Sequence, residues 1–453
     1  MKEILDKQRA FFNSHATKSI QFRRKQLKTL QRALKENEAA LHQAIYKDFK
    51  KSEFDNYTTE ISLLYRDIKE ARMNIFKWAR RKNVSTGVLN FPASSFIVPE
   101  PLGVCLVIGA WNYPYQLSFA PVIAAIAAGN TVVLKPSELP SNTAAAMAKI
   151  VKEYFDPAFF TVVEGGVDET QELLKQKFDK IFFTGSTKVG KIVYKAAAEN
   201  LIPVTLELGG KSPAIVTESC NLKISVKRLV WGKFLNAGQT CIAPDYVLVH
   251  KSIEQKFLEQ TKQEIISQHF AYENDNFLQI INEQNFDRLT EMLDQKKIFF
   301  GGEHNKETRY IQPTIMQNVT LEDAVMQEEI FGPILPVIAY NTIEEAISIV
   351  NSLPKPLSCY VFTKRDSIKK KVLKEVSFGG GAINDTVMHI TNSHLPFGGV
   401  GHSGIGSYHG EAGFKAFTHY KSVMDKPTWL DPSIRYYPHT AFRLKLMRWF
   451  LKF

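Results

Sequence analysis

The run Lys180–Ile181–Phe182–Phe183–Thr184–Gly185–Ser186–Thr187–Lys188–Val189–Gly190 passes from an apolar stretch into a glycine-serine turn and then into a helical pattern. The apolar stretch predicts a buried strand. A strand that enters a helix in this way directs backbone N–H groups and the positive end of the helix dipole at an anion, such as a dinucleotide pyrophosphate. Because the run is not a GxGxxG fingerprint, a plain strand-to-helix turn is an equal alternative on this stretch alone.

The alternation of strand and helix extends on both sides of this turn. In the first half, the predicted strands are Val104–Ile108, Thr131–Lys135, Phe160–Val163 and Lys180–Thr184, and the helices between them are Ala120–Ala128, Asn142–Phe155 and Glu169–Gln176. The pattern resumes with strands at Pro213–Val216 and Tyr246–Val249 and a helix at Ile253–His269. We therefore expect an α/β fold with parallel sheets covered by helices on both faces, arranged as two α/β domains.

Two amphipathic helices are predicted before the first of these strands, over residues 17–50 and from Asp55 to Arg81. Between residues 85 and 103, two short apolar runs are flanked by turn residues. This pattern predicts a hairpin that serves as an arm crossing between domains or subunits.

A cysteine, Cys241, stands in the loop Asn236–Ala237–Gly238–Gln239–Thr240–Cys241–Ile242–Ala243–Pro244, between a glycine turn and a proline. Glu207 stands beside other glycines, in Glu207–Leu208–Gly209–Gly210–Lys211. A thiol and a carboxylate, each next to residues that allow close backbone approach, can together perform covalent catalysis. An inert buried thiol is an equal alternative on spacing alone, because free cysteine is among the most buried residue types.

Other polar residues stand where a sheet of this kind binds ligands. Lys135 closes a predicted strand and Glu138 follows it, so the two can bond the ribose hydroxyls of a nucleotide. Asn112 has an amide that can stabilise a developing oxyanion, and Glu329 can hold a cofactor ribose. Each of the four is also an ordinary residue for a turn or a helix end, so none is specific by itself.

The composition excludes several classes of protein. With 453 residues, of which 44% are hydrophobic and 23% charged, the chain is expected to form two or three globular domains. Four widely spaced cysteines without a CxxC pair predict neither a disulfide framework nor a metal site, and they fit a reducing cytoplasm. We expect no secretion signal and no membrane-spanning helix. The net charge of +11 is scattered outside the C-terminus, so no nucleic-acid partner is expected.

The last thirteen residues, 441–453, differ from the rest of the chain. On a helix, Lys445, Arg448 and Lys452 fall on one face, and apolar residues spread over the other. These apolar residues are Leu444, Leu446, Met447, Phe450, Leu451 and Phe453. A basic amphipathic helix can lie in a membrane interface, although this one is too short to span a bilayer. The alternative is that the helix docks on its own subunit or on a dimer partner and caps the substrate entrance.

Seven motifs occur together and in one order along the chain. They are Ala110–Trp111–Asn112–Tyr113–Pro114, Lys135–Pro136–Ser137–Glu138, Phe183–Thr184–Gly185–Ser186, Glu207–Leu208–Gly209–Gly210–Lys211, Gly238–Gln239–Thr240–Cys241, Glu329–Ile330–Phe331–Gly332–Pro333 and Leu395–Pro396–Phe397–Gly398–Gly399. With these motifs the whole chain resembles the aldehyde dehydrogenases. The short N-terminus and the runs at residues 383–389 and 404–410 are similar to the class 3-like branch, whose members act on fatty and aromatic aldehydes.

The resemblance implies a reaction and a role for each catalytic residue. Cys241, as a thiolate, would attack the aldehyde carbonyl, while Asn112 and the backbone N–H of Cys241 hold the oxyanion. Hydride would leave for a nicotinamide, and Glu207 would activate the water that hydrolyses the resulting thioester. The product would be the carboxylic acid of a lipophilic, medium- or long-chain aldehyde.

The resemblance also implies a cofactor, NAD or NADP, and a homodimer. The expected cofactor-binding residues are Lys135, Glu138, Gly185, Ser186, Thr187, Lys188, Val189, Gly190, Glu329 and Phe331. The Glu138 carboxylate would repel a ribose 2′-phosphate, which favours NAD. The expected location is the cytoplasm, with peripheral membrane contact through residues 441–453.

The expected domain division follows the same resemblance. Residues 1–83 and 103–206 would form the Rossmann-like NAD(P)-binding domain and residues 207–393 the catalytic domain. Residues 84–102 and 394–453 would form the bridging arm and the tail.

Two alternatives to the proposed oxidation are a CoA-acylating dehydrogenase and a non-catalytic binding protein that kept the fold. The intact Glu207 argues against the first, and the intact set of Cys241, Glu207 and Asn112 argues against the second.

Overall fold

The structure of the protein is a computed structural model that describes residues 1–452, apart from the side chain of Phe450. Phe453 and the Phe450 side chain, both assigned to the apolar face of the tail from the sequence, lie outside the described residues. Helices and strands alternate along most of the chain, as the hydrophobic pattern predicts.

The helices are α1 (Lys2–Asn13), α2 (Ile20–Glu36), α3 (Glu38–Phe49), α4 (Glu53–Asn56), α5 (Ser62–Trp78), α6 (Pro114–Ala128), α7 (Ser141–Tyr154), α8 (Val167–Leu174), α9 (Thr187–Glu199), α10 (Leu222–Phe234), α11 (Glu254–Ser267), α12 (Glu283–Glu291), α13 (Ala324–Gln327), α14 (Ile343–Ser352), α15 (Asp366–Glu375), α16 (Gly410–Ala416) and α17 (Ala441–Phe450). The strands are β1 (Lys82–Val84), β2 (Ser94–Pro101), β3 (Val104–Ile108), β4 (Thr131–Lys135), β5 (Phe160–Val162), β6 (Lys180–Thr184), β7 (Val204–Glu207), β8 (Pro213–Val216), β9 (Tyr246–His250), β10 (Ile298–Phe300), β11 (His304–Asn305), β12 (Tyr310–Ile311), β13 (Thr314–Met316), β14 (Ile334–Tyr340), β15 (Ser358–Phe362), β16 (Gly380–Ile383), β17 (Gly404–Ile405) and β18 (Thr418–Asp425).

The first large sheet has six strands in the order β17–β7–β6–β3–β4–β5. Strands β7, β6, β3, β4 and β5 are parallel, and β17 pairs with β7 in the antiparallel direction. Its strands are rich in Val, Ile, Leu and Phe because both faces are covered, and Leu106 and Ile181 are fully buried. Burying each such side chain contributes roughly 1.5–3 kcal/mol.

The second large sheet has seven strands in the order β10–β13–β14–β9–β8–β15–β16. Only the edge pair β10–β13 is antiparallel, so this sheet is also a parallel α/β sheet in character. The prediction of an α/β fold with parallel sheets is therefore confirmed.

The chain separates into two compact units. The first consists of Met1–Trp78 and Pro101–Thr418 and contains both large sheets. The second consists of Ala79–Glu100 and the residues from His419 onward, and its sheet has the order β1–β2–β18. Strands β1 and β2 form the antiparallel hairpin predicted near residues 85–103, although its strands lie at Lys82–Val84 and Ser94–Pro101. The division of the first unit into cofactor and catalytic domains stays a prediction.

The long helix predicted over residues 17–50 is wrong in one respect, because the chain breaks at Asn37 into α2 and α3. The Asn37 side chain donates to the carbonyl of Ala33 (2.9 Å), a local bond by which asparagine competes with a continuous helix.

The second predicted helix, from Asp55 to Arg81, is interrupted as well. A π-helical turn, Tyr57–Ile61, precedes α5, which ends at Trp78. Such turns are rare and often occur near functional sites.

Candidate active site

A cavity of about 660 Å³ opens at the carboxyl ends of β3, β4, β6 and β7. Ile108 pairs with Lys135 and Thr184 pairs with Glu207, so the last residues of these four strands lie along one edge of the sheet. This edge is where open α/β sheets bind ligands.

The cavity brings together twelve of the thirteen residues that the sequence nominates. They are Asn112, Lys135, Glu138, Gly185, Ser186, Thr187, Lys188, Val189, Glu207, Cys241, Glu329 and Phe331. The exception is Gly190, which lies inside α9 and faces Leu208, where an added Cβ would crowd the Leu208 side chain. Gly190 thus allows helix α9 to pack closely.

The loop that carries Cys241 is held in an unusual backbone conformation. Asn236, Ala237 and Gly238 all have positive φ values, of 56°, 52° and 73°. The left-handed region is unfavourable for residues with a Cβ, so Asn236 and Ala237 store strain that surrounding contacts must offset. Gly238 is required here, because an added Cβ would overlap the carbonyl of Gly332.

Those contacts centre on Gln239, which is fully buried. Its amide nitrogen donates to the carbonyl oxygens of Asn236 (3.2 Å) and Gln279 (3.1 Å), and its amide oxygen accepts from the backbone N–H of Ile281 (3.0 Å). Buried amides with several partners fix one conformation of a loop. The glutamine two residues before Cys241 thus holds the loop in place.

A second loop, just before α6, is bonded to the cysteine loop by three hydrogen bonds. The side-chain amide of Asn112 donates to the carbonyl of Gln239 (3.0 Å), which leaves a second N–H on the same nitrogen. The hydroxyl groups of Tyr113 and Thr240 are 2.6 Å apart and share a hydrogen bond. Asn236 returns a bond to the carbonyl of Asn112 (3.0 Å). The amide proposed for the oxyanion is therefore fixed relative to Cys241.

Glu207 ends β7 and is 2% exposed, and neither of its carboxylate oxygens has a hydrogen-bond partner within the described protein. Burial raises the pKa of Glu207 well above its ordinary value, because a charged carboxylate is poorly solvated there. A carboxyl group of this kind is a suitable general base, since a raised pKa brings proton transfer into the working pH range.

Burial also raises the pKa of the Cys241 thiol far above its ordinary value, and the carboxyl groups of Glu329 and then Glu207 raise it further. The hydrogen bonds made by the backbone of Cys241 and Ile242 act in the opposite direction. The resting cysteine is thus a neutral thiol, and it needs a base to become a nucleophile.

Glu329 also lines the cavity. The carboxyl group of Glu329 lies so close to Gly209 that an added Cβ at position 209 would overlap it. The lack of a side chain at Gly209 therefore makes room for this carboxyl group. Burial, together with Asp245, raises the pKa of Glu329 to about 8. The neighbouring Phe331 packs edge-on against Trp111, with ring centroids 5.2 Å apart.

The remaining cavity residues form a site suited to a dinucleotide. Ser186 caps α9 by accepting from the N–H of Val189 (3.3 Å), which leaves the other first-turn N–H groups of the helix for an anion. Lys135 is 1% exposed, donates to the carbonyl of Pro136 (2.7 Å) and lies 3.8 Å from the half-exposed carboxylate of Glu138. The lysine therefore keeps donors for ribose hydroxyls. These groups fit a nicotinamide dinucleotide.

Sequence reasoning missed residues that support the site from a distance. Arg288 lines the cavity and donates to the carbonyls of Glu329 (3.3 Å) and Ile330 (2.7 Å), so it holds the loop that carries Glu329. Tyr113 stands in one of the seven motifs, but the sequence alone gives it no role of its own. Neither residue has a local sequence signal, because each acts through partners far away in the chain.

A cavity at the strand ends of a parallel sheet, lined by a thiol, an unpaired buried carboxyl group and a dinucleotide-type turn, is the architecture of a Rossmann-like dehydrogenase. The aldehyde dehydrogenase family model matches residues 1–423, and the chain belongs to that family. The family predicted from the seven motifs is thus confirmed.

Individual relatives cover almost the full chain. A 4,4'-diaponeurosporen-aldehyde dehydrogenase of Staphylococcus aureus is 47% identical over 449 residues, which are 98% of this chain and 97% of the relative. The dimeric NADP-preferring aldehyde dehydrogenase of Canis lupus familiaris is 42% identical, over 97% of this chain and 98% of its own. A solved structure, the substrate-bound state of Staphylococcus aureus AldH, superposes with a TM-score of 0.96 at 45% identity, covering 99% of each chain.

Proposed function

We propose that the protein oxidises a lipophilic aldehyde to its carboxylic acid, with NAD or NADP as the oxidant and Cys241 as the nucleophile. The observation that carries this proposal is the placement of a thiol, the unpaired carboxyl group of Glu207 and the amide of Asn112 in one cavity. Membership of the aldehyde dehydrogenase family supports the same reaction.

The chemistry begins from the ionised fraction of Glu207, whose carboxylate accepts the proton of the Cys241 thiol, directly or through one water. The thiolate then forms a C–S bond to the carbonyl carbon, and the oxygen becomes an oxyanion. The free N–H of Asn112 and the backbone N–H of Cys241 stabilise this oxyanion, which is worth about 3–4 kcal/mol for one such donor. The hydride of the former aldehyde carbon would then leave for a nicotinamide, which Glu329 and Phe331 would hold in the cavity. A thioester on Cys241 remains.

Hydrolysis of the thioester returns the enzyme to its starting state. Glu207 first releases the thiol proton to solvent and then takes a proton from water, and the resulting hydroxide attacks the acyl carbon. The C–S bond breaks, the acyl group leaves as the carboxylic acid, and the sulfur regains its proton. The buried, unpaired carboxyl group suits both steps because its raised pKa favours accepting a proton.

The cofactor would lie along the strand ends from Lys135 to Glu329. The turn at Gly185–Ser186 and the start of α9 would bind the pyrophosphate, Lys135 and Glu138 the adenosine ribose, and Glu329 with Phe331 the nicotinamide ribose. The Glu138 carboxylate favours NAD, whereas the canine relative is named NADP-preferring. A kinetic preference for NADP would contradict the role given to Glu138.

The substrate, the assembly and the location are proposed on related grounds. The Staphylococcus aureus relative is named as a 4,4'-diaponeurosporen-aldehyde dehydrogenase, which supports a lipophilic substrate here. The canine relative is named as dimeric, which supports a homodimer bridged by the arm.

No helix among residues 1–452 is both long and apolar enough to cross a membrane. We place the protein in the cytoplasm, with α17 as its peripheral membrane contact.

The direct test of this function is steady-state oxidation by Cys241→Ala, followed by absorbance of the reduced cofactor. We expect loss of at least about 10⁴-fold in turnover, because no other group in the cavity can form the thioester. Cys359→Ala is the matched control, since it removes a buried thiol that does not line this cavity and should keep its activity. Substantial turnover by Cys241→Ala would refute the nucleophile assignment.

A further inference from the structure

A buried ion pair lies behind the loop that carries Asn112. Lys51 and Glu60 are 1% and 0% exposed, and the Lys51 Nζ is 2.6 Å from the Glu60 Oε1. Glu60 belongs to the π-helical turn Tyr57–Ile61, and Lys51 follows α3. Neither residue lines the catalytic cavity, so neither touches a substrate there.

The second carboxylate oxygen of Glu60 is bonded to the start of α6. The Oε2 atom accepts from the backbone N–H groups of Tyr115 (2.8 Å) and Gln116 (3.2 Å). These N–H groups lie in the first turn of the helix, where a negative charge is also stabilised by the helix dipole. Glu60 thus fixes the end of α6 that follows directly on Asn112 and Tyr113.

Lys51 makes the second contact with the same loop. Its Nζ lies 4.1 Å from the centroid of the Tyr113 ring, in the geometry of a cation–π interaction. The hydroxyl of that ring is hydrogen-bonded to Thr240, the residue next to Cys241. A continuous series of contacts therefore runs from the ion pair through Tyr113 to the nucleophile loop.

We propose that the Lys51–Glu60 pair is a positioning device that sets the Asn112–Tyr113 loop against the Cys241 loop for oxyanion formation. The proposal rests on the function proposed above for Cys241 and Asn112. A buried ion pair seldom stabilises a fold more than well-packed apolar side chains of similar volume. Glu60 and Lys51 together provide what apolar residues cannot: an acceptor for two helix N–H groups and a cation against one face of Tyr113.

The experiment compares three variants: Lys51→Met, Lys51→Met/Glu60→Gln and the control Lys50→Met. Lys50 is the adjacent residue and makes the same kinds of contact, with its Nζ 3.7 Å from the Tyr272 ring centroid and 2.8 Å from Asp275. Among the hydrogen bonds within residues 1–452, Tyr272 accepts only from Lys50 and from the N–H of Asp275, and it has no bond to the Cys241 loop. The measured quantities are the melting temperature, the pre-steady-state rate of cofactor reduction and the KM for the cofactor.

We expect Lys51→Met to slow cofactor reduction by about 10- to 100-fold, because small misplacement of an oxyanion donor is costly. The KM for the cofactor should stay within about twofold, since the turn at Gly185 is not contacted by the pair. The double variant carries no lone buried charge, so its melting temperature should recover while its rate stays low. If the pair only stabilised the fold, the melting temperature and the rate of cofactor reduction would recover together in the double variant.

The result that overturns the proposal is a double variant whose rate recovers with its melting temperature, or a Lys51→Met rate as high as that of Lys50→Met. The combined effect of Lys51→Met and Tyr113→Phe on the rate gives an independent check. In a Tyr113→Phe background, Lys51→Met should slow the reaction further by less than about twofold, because the bond to Thr240 is already lost. An active Cys241→Ala enzyme would instead refute the underlying function, so the two failures are distinguishable.

Discussion

At the scale of single residues, the site combines two carboxyl groups with a thiol, and all three prefer their neutral forms. Burial raises the pKa of Glu207 and of Cys241, and it raises that of Glu329 to about 8. Each negative charge that forms in the cavity makes the next one less favourable. The thiolate is therefore generated only when a base accepts its proton, which protects the cysteine from side reactions at rest.

This electrostatic arrangement predicts how Cys241 reacts with iodoacetamide in the cofactor-free enzyme. Only the thiolate is alkylated, and a raised pKa means that the thiolate fraction grows with pH above the range of a free cysteine, whose pKa is about 8.5. The alkylation rate should still be rising above about pH 9. Mass spectrometry of the Cys241 peptide separates this signal from the half-buried Cys220.

Glu329→Gln provides the comparison for that experiment. Because the pKa of Glu329 is about 8, its carboxylate is mostly charged at pH 9 and opposes the Cys241 thiolate. We expect the variant to alkylate several-fold faster than the wild type at pH 9 and at a similar rate at pH 6. A rate that reaches its plateau at neutral pH in the wild type would contradict the raised thiol pKa.

At the scale of elements, the conformation of the loop 236–241 depends on the glycine at position 238. Gly238→Ala and Gly401→Ala both place an alanine at positive φ, 73° and 66°, at a common cost of about 1–2 kcal/mol. At Gly238 an added Cβ would also overlap the carbonyl of Gly332, whereas a Cβ at Gly401 would have no such neighbour within 4 Å.

Gly238→Ala should therefore lower the free energy of unfolding by about 1–3 kcal/mol more than Gly401→Ala does. Urea unfolding of the two variants measures the difference, and turnover should fall in Gly238→Ala because the Cys241 loop must shift. Equal losses in the two variants would show that Gly332 does not constrain the loop.

The sequence was most informative where one element carries the whole signal. The strand-turn-helix at Lys180–Gly190 and the apolar strands could be predicted because periodicity and turn residues are local. Motif order nominated twelve residues that do line one cavity. The break at Asn37, the role of Arg288 and the Lys51–Glu60 pair could not be predicted, since each depends on contacts between segments distant in the chain.

At the scale of the whole molecule, the tail helix α17 is the feature that the catalytic chemistry does not explain. The helix begins at a Thr440 cap that accepts from the N–H of Arg443 (3.2 Å). Phe442 and Leu444 are 73% and 53% exposed, beside the basic residues of the same helix. An exposed apolar and basic helix of this kind suits an anionic bilayer surface.

Deletion of residues 441–453 should therefore reduce binding to anionic liposomes and lower kcat/KM for long-chain aldehydes several-fold, while leaving short-chain aldehydes unaffected. Sedimentation with liposomes and absorbance assays across chain lengths measure both effects. Neutral liposomes are the control, because the basic residues lose their electrostatic partner there. If truncation changes neither binding nor chain-length preference, the tail serves neither membrane contact nor substrate entry.

The covalent route through Cys241 is tested most directly by the intact mass of Glu207→Gln after mixing with aldehyde and oxidised cofactor. Without Glu207, the Cys241 thiol loses its proton to solvent instead, a step that the removed carboxylate no longer opposes. Thioester hydrolysis should slow by about 10²- to 10⁴-fold, so the thioester accumulates once hydride transfer has occurred. We predict about one reduced cofactor per chain and a mass gain equal to the aldehyde less two hydrogens, located on the Cys241 peptide. Continued turnover without a mass gain, or a label on another residue, would contradict the account.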